Sequence, residues 1–249
     1  MISLQNKTIL ITGASSGIGR ATAIQLSQLG ASVALNGRND KELQNTANAC
    51  AGKPIVLKAD LCNEEEVSQL IELSPKLNGW VHCTGKVLPV PVKFIQEKHL
   101  EEILNVNFKS AVKLTSALLR GKKLNDGSSI LFISSVSVLH SYFGGGPYVA
   151  SKAALEAHAR TMALELASKK IRVNVLQPAL VKTAIYKATS EAAMNQQEME
   201  EHEKKYPLGI GEPEDVAKAA AFFISDESSW ITGSSLKMDG GLTLGFSAK

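Results

Sequence analysis

The sequence is poor in cysteine, and its few cysteines are poorly placed for cross-linking or for binding a metal. Cys50, Cys62 and Cys83 are odd in number, and none begins a Cys-x-x-Cys pair. This spacing argues against a disulfide framework and against a cysteine-rich zinc site. We therefore expect reduced thiols, no metal centre and a cytoplasmic location.

A strong excess of charge and a long apolar run are also missing. The 27 basic residues are scattered among 24 acidic ones, and the formal net charge is only +3. Without a basic run, a nucleic-acid partner is not expected. The first apolar run, Thr8–Thr12, is too short for the core of a signal sequence or for a membrane span. A membrane partner is therefore not expected either.

The chain does contain a regular alternation of short apolar runs and helical stretches. Several runs carry Ile, Val and Leu on both alternating faces, which is typical of strands covered by helices on both sides. Without a linker or repeat, this predicts a single α/β domain over residues 1–249: a Rossmann-type, doubly wound parallel sheet of about seven strands with helices on both faces. The predicted strands span 7–12, 32–36, 54–58, 79–83, 129–134, 171–176 and 235–238, and the main predicted helices span 18–29, 63–74, 101–119 and 148–168.

One late segment, residues 183–206, differs in composition because it is rich in Glu, Gln, Ala and Met. A solvent-exposed helix and a mobile lid over a ligand are both open interpretations. Long insertions between late strands of such a sheet often cover binding sites. We take residues 184–206 as the candidate lid.

The first predicted strand leads directly into a glycine-rich turn and then a helix. Glycines at 13, 17 and 19 permit a tight turn and let backbone N–H groups approach a phosphate. The partial positive charge at the helix N-terminus favours the same anion. A P-loop would need Gly-Lys-Ser/Thr where this chain has Gly17-Ile18-Gly19, which excludes that triphosphate site. A pyrophosphate site is predicted, with a purely structural turn as the alternative.

Residues 12–19 read Thr-Gly-Ala-Ser-Ser-Gly-Ile-Gly, which resembles the Thr-Gly-x-x-x-Gly-x-Gly of the short-chain dehydrogenase/reductase family. The resemblance extends over essentially the whole chain. It implies a nicotinamide cofactor and hydride transfer between that cofactor and a carbonyl or alcohol. The implied cofactor contacts in the turn are Gly13, Ser15, Ser16, Gly17, Ile18 and Gly19.

The end of the second predicted strand bears on the choice between NADP(H) and NAD(H). Gly37 stands where a carboxylate would hold the NAD ribose and repel a 2′-phosphate. Arg38 follows, and a guanidinium suits a phosphate through paired N–H donors. Arg38 could instead be an ordinary exposed cation, and Asp40 could compete or cap a helix starting near Lys41. NADP(H) is preferred, although Ser16 stands where NADP-using members often carry a basic residue.

The resemblance implies that adenine lies against the Asp60 side chain and the Leu61 backbone. Asp60 could also cap the helix predicted at 63–74. After the fourth predicted strand, members of the family usually have Asn-Asn-Ala-Gly, whereas this chain has His-Cys-Thr-Gly at residues 82–85 and retains only the glycine. His82 is interpreted as a packed strand-end residue rather than a base. The implied cofactor contacts here are Cys83, Thr84 and Gly85.

The predicted reacting groups are Tyr148 and Lys152, which lie four residues apart on one helical face. An ammonium nearby, together with an oxidised nicotinamide, favours the phenolate and lowers the tyrosine pKa from about 10. Tyr148 can then protonate a developing alkoxide or accept its proton. Ser135 follows the strand predicted at 129–134, and ligands bind at the carboxyl ends of such parallel strands. Its hydroxyl can therefore orient the substrate oxygen. Ser134 is the alternative.

The family pattern implies further roles for matching residues. Lys152, with Tyr148, would also bind the nicotinamide end of the cofactor, and Asn107 would anchor a water chain for proton relay. Asn105 is the less favoured match, and an ordinary helix-interior amide is the alternative interpretation of Asn107.

A turn after the sixth predicted strand would hold the nicotinamide carboxamide. Members of the family usually have Pro-Gly there, whereas this chain has Pro178-Ala179, so the turn must not need a positive φ at 179. The implied cofactor contacts in this turn are Pro178, Val181 and Thr183.

The resemblance implies that the substrate is a ketone or secondary alcohol, and the motifs look most like those of 3-oxoacyl-[acyl-carrier-protein] reductases. A small-molecule or acyl-thioester substrate is thus expected. Sugar, polyol, steroid and small-alcohol dehydrogenases share the motifs, and a catalytically silent NADP(H)-binding regulator is a further alternative. Such a regulator predicts a broken Ser-Tyr-Lys set, which is intact here.

Three segments are expected to line the substrate pocket: 86–95, 136–147 and 184–206. The apolar residues of the first two favour a substrate with a nonpolar part, and ordinary core packing is the alternative interpretation. Lys93, Lys98 and Lys187 are candidates for contacts with an acyl carrier protein. A homotetramer is implied by the resemblance, with helices 101–119 and 148–168 as candidate interfaces.

Overall fold

Seven parallel strands form one sheet in this computed structural model, which describes residues 2–184, 186, 201 and 203–245. Their order is β3-β2-β1-β4-β5-β6-β7, so the chain reverses its direction of travel across the sheet between β1 and β4. This confirms the predicted doubly wound sheet and places the ligand crevice at the carboxyl ends of the strands. The strands are β1 Thr8–Thr12, β2 Ser32–Gly37, β3 Ile55–Lys58, β4 Leu77–His82, β5 Leu124–Ile133, β6 Arg172–Pro178 and β7 Ser235–Met238.

Helices cover both faces of the sheet. One face packs against α1, α2 and α7, and the other packs against α3, α5 and α6. Within the described ranges the helices are α1 Gly17–Gln28, α2 Asp40–Ala49, α3 Glu64–Leu73, α4 Glu97–Leu104, α5 Ser110–Arg120, α6 Gly146–Glu165 and α7 Pro213–Ile224.

The alternation of side chains along a strand explains why the strands are apolar throughout. In β1, Leu10 enters the core under α3, α5 and α6, whereas Ile9 and Ile11 enter the opposite core. All three are fully buried. Trp80 and Phe132 fill the first core with their rings edge to face at 5.3 Å between centroids. Burial on both faces is what a parallel sheet requires.

The single helix predicted at 101–119 is wrong in its bounds and its regularity. Helix α4 begins four residues earlier, at Glu97, and a π-turn at Asn105–Lys109 separates it from α5. Each flanking stretch has its own helical pattern of apolar residues, so the sequence alone predicts one continuous helix. π-turns inside helices are rare and frequently lie at functional sites.

The two aspartates that the sequence offers as helix caps, Asp40 and Asp60, do not cap a helix, and a nearby asparagine does so in each case. Asn39, not Asp40, caps α2 and accepts the Glu42 N–H at 3.3 Å. Asn63 caps α3, while Asp60 accepts the N–H of Cys62 at 2.9 Å. The cap must have extended backbone geometry directly before the helix, and only the asparagines meet this condition.

Most of the candidate lid, 184–206, lies outside the described residues, and so does Lys187. In the part of the chain that is described, no helix combines the length and the apolarity needed to cross a membrane. The same part contains no cluster of three or more His, Cys, Asp or Glu side chains suited to a metal ion.

Candidate active site

The predicted site residues lie along the carboxyl ends of strands β1 to β6. The glycine turn follows β1, Arg38 follows β2, and Asp60 and Leu61 follow β3. Cys83, Thr84 and Gly85 follow β4, Ser135 follows β5, and Pro178 ends β6. The parallel topology therefore gathers residues distant in sequence at one edge.

The glycine turn is packed so tightly that only glycine fits at two of its positions. Gly13 has a φ of +69°, and a Cβ there would lie 2.9 Å from the Thr84 backbone nitrogen. A Cβ at Gly19 would overlap the Gly13 carbonyl oxygen. Ser16 precedes α1 but makes no side-chain cap bond, so its side chain leaves the helix N-terminus open to an anion. This arrangement fits a pyrophosphate.

Replacing Gly19 by Ala should destabilise the fold and weaken cofactor binding. The added Cβ meets backbone atoms, which cannot rotate away, and overpacking of this kind costs about 1–3 kcal/mol. We expect a lower thermal midpoint and at least a tenfold weaker NADPH affinity by fluorescence titration. Gly211→Ala is the matched control for stability because its Cβ would meet its nearest neighbour at an ordinary 3.5 Å. Equal midpoints for the two variants would contradict this account.

The end of β2 is shaped by Ser15 and Arg38. A Cβ at Gly37 would overlap the Ser15 hydroxyl oxygen, so the serine occupies the space of a side chain at this position. The Arg38 side chain is 73% exposed, and its guanidinium lies 3.6 Å from a carboxylate oxygen of Asp60. The Arg38 cation and the Ser15 hydroxyl therefore both lie at the end of β2. Leu61 is buried in the core, which leaves its backbone for any adenine contact.

His82, at the end of β4, is a packing residue, as expected. Its ring is fully buried, its Nδ1 lies 2.8 Å from the Thr12 hydroxyl oxygen, and it stands edge to face against Trp80 and Phe132. Burial lowers the pKa of His82 to about 3, helped by the nearby Lys152 ammonium. The ring is therefore neutral and enclosed, unsuited to act as a base on a substrate.

Tyr148 lies in the first turn of α6 and is coupled to Ser135. Burial raises the pKa of Tyr148, and a hydrogen bond with Ser135 opposes that rise. The predicted lowering is thus not reached by the protein residues alone, because burial outweighs the favourable contacts. The Ser135 hydroxyl oxygen also accepts bonds from the Ser137 N–H at 3.1 Å and from the Ser137 hydroxyl at 2.9 Å.

Lys152 is buried one helical turn after Tyr148. Its ammonium donates to the Ile133 carbonyl oxygen at 2.8 Å and lies 5.9 Å from the centre of the Tyr148 ring. A Cβ at Gly85 would lie 3.2 Å from Lys152 Nζ, so this glycine makes room for the lysine. Burial lowers the pKa of Lys152 to about 8, against the raising effects of Cys83 and Glu156.

Of the two adjacent serines, only Ser135 is coupled to Tyr148. Ser134 is buried and donates its hydroxyl to Oε1 of Glu156 at 2.6 Å. The same Oε1 accepts the Gln177 amide at 2.8 Å. Sequence reasoning missed Glu156. The available signal was its spacing of four residues from Lys152, which repeats the spacing between Tyr148 and Lys152.

Asn107 is fully buried in the π-turn, and its amide fastens two neighbouring segments. It accepts the Lys86 N–H at 2.7 Å and donates to the Lys86 carbonyl at 2.9 Å. It also donates to the Ser151 hydroxyl oxygen at 3.0 Å. A Cβ at Gly85 would lie 3.7 Å from Asn107 Oδ1, which brings the asparagine to the same space as Lys152. Asn105, the alternative, is only half-buried.

The segment after β6 lies against the glycine turn. A Cβ at Gly17 would meet the Thr183 side chain at 3.1 Å. Val181 forms a bridge with Gly211, which accepts the Lys182 N–H at 2.9 Å. Ala179 is not among the described residues with a positive φ, so alanine is compatible with this turn, as the sequence requires.

This fold and this set of residues are those of a doubly wound α/β oxidoreductase that uses a nicotinamide cofactor. A family model described as Enoyl-(Acyl carrier protein) reductase matches residues 13–243. The chain belongs to that family, within the short-chain dehydrogenases/reductases.

Individual relatives match over nearly their full length. The chain is 33% identical to the 3-oxoacyl-[acyl-carrier-protein] reductase FabG of Rickettsia felis, over 98% of this chain and 100% of the relative. It is 34% identical to a tropinone reductase homologue of Arabidopsis thaliana, over 98% and 96%. The crystal structure of a dehydrogenase/reductase from Sinorhizobium meliloti superposes with a TM-score of 0.88 at 30% identity, covering 97% of each chain.

Proposed function

We propose that this protein is an NADP(H)-dependent reductase that interconverts a ketone and a secondary alcohol, with 3-oxoacyl thioesters as the preferred carbonyl substrates. The observation that carries the proposal is the meeting of Ser135, Tyr148 and Lys152 at the end of β5. The Rickettsia relative named a 3-oxoacyl-[acyl-carrier-protein] reductase supports the substrate class.

The three residues divide the chemistry of reduction among them. When bound, the reduced nicotinamide supplies the hydride that the carbonyl carbon accepts. The Ser135 and Tyr148 hydroxyls orient the carbonyl oxygen, and Tyr148 gives it a proton as the charge develops. The Lys152 ammonium favours the phenolate that remains. A net hydride and one proton are added, so the ketone becomes a secondary alcohol.

The phenolate must regain its proton before the next turnover. Asn107 Oδ1 and Lys152 Nζ both border the space beside the Gly85 α-carbon. A water molecule in this space could pass a proton from solvent toward the Tyr148 phenolate by way of Asn107 and Lys152. The Asn107 side chain also forms hydrogen bonds with both the backbone N–H and the carbonyl of Lys86, which holds the segment beside this space in place.

The preference for NADP(H) rests on Arg38, Ser15 and Gly37. The exposed guanidinium is available to a phosphate dianion, and paired N–H donors make such contacts strong. Gly37 supplies no carboxylate to repel that phosphate, and its side-chain space is taken by Ser15. The other proposed contacts are Ser16, Ile18, Asp60, Leu61, Cys83, Thr84, Pro178, Val181 and Thr183.

The mouth of the site favours a substrate with an apolar tail. Exposed apolar side chains stand on the two loops beside Tyr148: Val92, Phe94, Leu139 and Phe143, which we call the apolar rim. The two loops are joined by a hydrogen bond from the Val90 N–H to the Gly144 carbonyl oxygen at 2.8 Å. An acyl chain could cover this rim, whereas a sugar or polyol would leave it in water.

We also propose that the protein forms a homotetramer and is located in the cytoplasm. We further propose that residues 1–249 form one domain, with residues 184–206 as its lid. Leu164 on α6 and Trp230 are 80% and 98% exposed, which suits subunit contacts. Cys50, Cys62 and Cys83 are free thiols, as a reducing compartment would keep them. Light scattering coupled to gel filtration would measure the assembly.

NADPH oxidation, followed by its absorbance, tests the proposed function. We expect turnover with 3-oxoacyl thioesters and little with sugars or polyols. The specificity constant should rise about fourfold for each added methylene that reaches the apolar rim, because each buried CH₂ contributes about 0.8 kcal/mol. Binding of NADPH without its oxidation by any carbonyl would favour a silent regulator. Equal rates with polyols and thioesters would overturn the substrate class.

A further inference from the structure

Helix α6 carries a buried carboxylate one turn after Lys152. Glu156 is 5% exposed, and its neighbours Leu155 and Ala159 belong to the core beneath the sheet. Tyr148, Lys152 and Glu156 follow one another at four-residue intervals, so they share one face of the helix. Burying a carboxylate is costly unless hydrogen bonds and an opposite charge offset the loss of water.

The hydrogen bonds of Glu156 reach the two strand ends that present the site. Its Oε1 accepts the Ser134 hydroxyl at 2.6 Å and the Gln177 amide at 2.8 Å. Ser134 directly precedes Ser135, and Gln177 directly precedes Pro178. One oxygen atom thus ties α6, which carries Tyr148 and Lys152, to the segments that carry the serine and the proposed nicotinamide contacts.

The opposite charge is that of Lys152. Other groups around its ammonium are neutral near pH 7: the Ile133 carbonyl, the Tyr148 phenol and the His82 ring, whose pKa is about 3. The Cys83 thiol also stays protonated, since burial raises its pKa to about 12. Among the described groups that act on Lys152, Glu156 is therefore the one that carries negative charge. It favours the ammonium against the desolvation that burial imposes.

We propose that Glu156 is a positioning residue for the reaction, which holds the ends of β5 and β6 against α6 and keeps Lys152 in its charged form. The role as a positioning residue rests on the proposed function. The charge effect on Lys152 is a property of the folded chain and can be measured without substrate or cofactor.

Glu156→Gln separates the two contributions. The amide oxygen can still accept both hydrogen bonds, but the negative charge is lost. Removing it should lower the Lys152 pKa by about one unit, from about 8. In protein labelled with ¹³C at lysine Cε, the Lys152 signal, assigned by its absence in Lys152→Met, should titrate at a correspondingly lower pH. Glu165→Gln is the matched control because it removes an exposed carboxylate from the same helix.

The activity of Glu156→Gln should fall in a pH-dependent manner. A shift of one unit from about 8 reduces the charged fraction of Lys152 about fivefold at pH 8 and hardly at all at pH 6. The specificity constant for the ketone at saturating NADPH should follow that ratio. A purely structural role would instead give the same loss at both pH values.

Several outcomes would overturn the proposal. An unchanged Lys152 titration in Glu156→Gln would refute the charge effect, and so would a loss of activity independent of pH. Glu156→Asp serves as a second variant should the Gln variant not fold. It retains the charge, so its Lys152 must titrate within about half a unit of the parent, and a full-unit drop would contradict the proposal. If no carbonyl is reduced, the proposed function fails while the titration still reports on Glu156.

Discussion

Tyr148→Phe should lower turnover by about two to four orders of magnitude, because this is the range that a positioned general acid contributes. The phenol is the proton donor in the proposed reduction, and the change removes only its oxygen. The ring stays in the first turn of α6, 5.9 Å from the Lys152 ammonium. Affinity for NADPH should remain within about threefold of the parent, since binding requires no proton transfer.

Stopped-flow measurement of NADPH oxidation and fluorescence titration of NADPH separate these two expectations. The thermal midpoint of the variant shows whether the fold is intact. Turnover close to that of the parent would sink the proposed role of Tyr148. A parallel loss of NADPH affinity would show that the hydroxyl contributes to binding rather than to proton transfer alone.

Arg38→Asp should weaken NADPH binding by about a hundredfold and leave NADH within about threefold. Hydrogen bonds to charged groups contribute about 1.5–3 kcal/mol, and the new carboxylate adds repulsion toward a 2′-phosphate. The variant also places two carboxylates together, because Asp60 lies 3.6 Å from the guanidinium. Arg38→Leu, which removes the cation without adding a charge, should therefore fall between the parent and Arg38→Asp.

Arg120→Asp is the matched control for Arg38→Asp. It makes the same change of charge at the end of α5, four residues before β5 begins, and thus at the opposite edge of the sheet. Its NADPH affinity should stay close to that of the parent. Equal weakening of NADPH and NADH by Arg38→Asp would refute a contact with the 2′-phosphate.

The fold could be predicted because its signals are local and repeated. Each central strand is buried on both faces, as Ile9, Leu10 and Ile11 illustrate. A strand of this kind needs consecutive apolar residues, and such a run is visible in the sequence. The alternation of strands and helices favours parallel strands joined by crossover helices, whereas the order of the strands was not predicted. The caps were harder to predict, because Asn39 and Asp40 are adjacent and only backbone angles distinguish them.

The candidate site was only partly accessible from the sequence. Motif spacing placed Ser135, Tyr148 and Lys152 at one strand edge, where the structure also has them. It did not reveal that burial raises the Tyr148 pKa, since that depends on packing from distant segments. Glu156 escaped notice because a glutamate in a helix is usually exposed, and its burial depends on Ser134 and Gln177 from two other elements.

The π-turn at Asn105–Lys109 constrains the length of this region as well as its composition. A π-turn holds one residue more per hydrogen-bonded turn than an α-helix. Deleting one residue within 105–109 would let the turn close as regular α-helix and would move Asn107 from the position in which its amide bonds both Lys86 and Ser151. In a library of designed variants, indels belong in surface loops, and the span between α4 and α5 should be kept at fixed length.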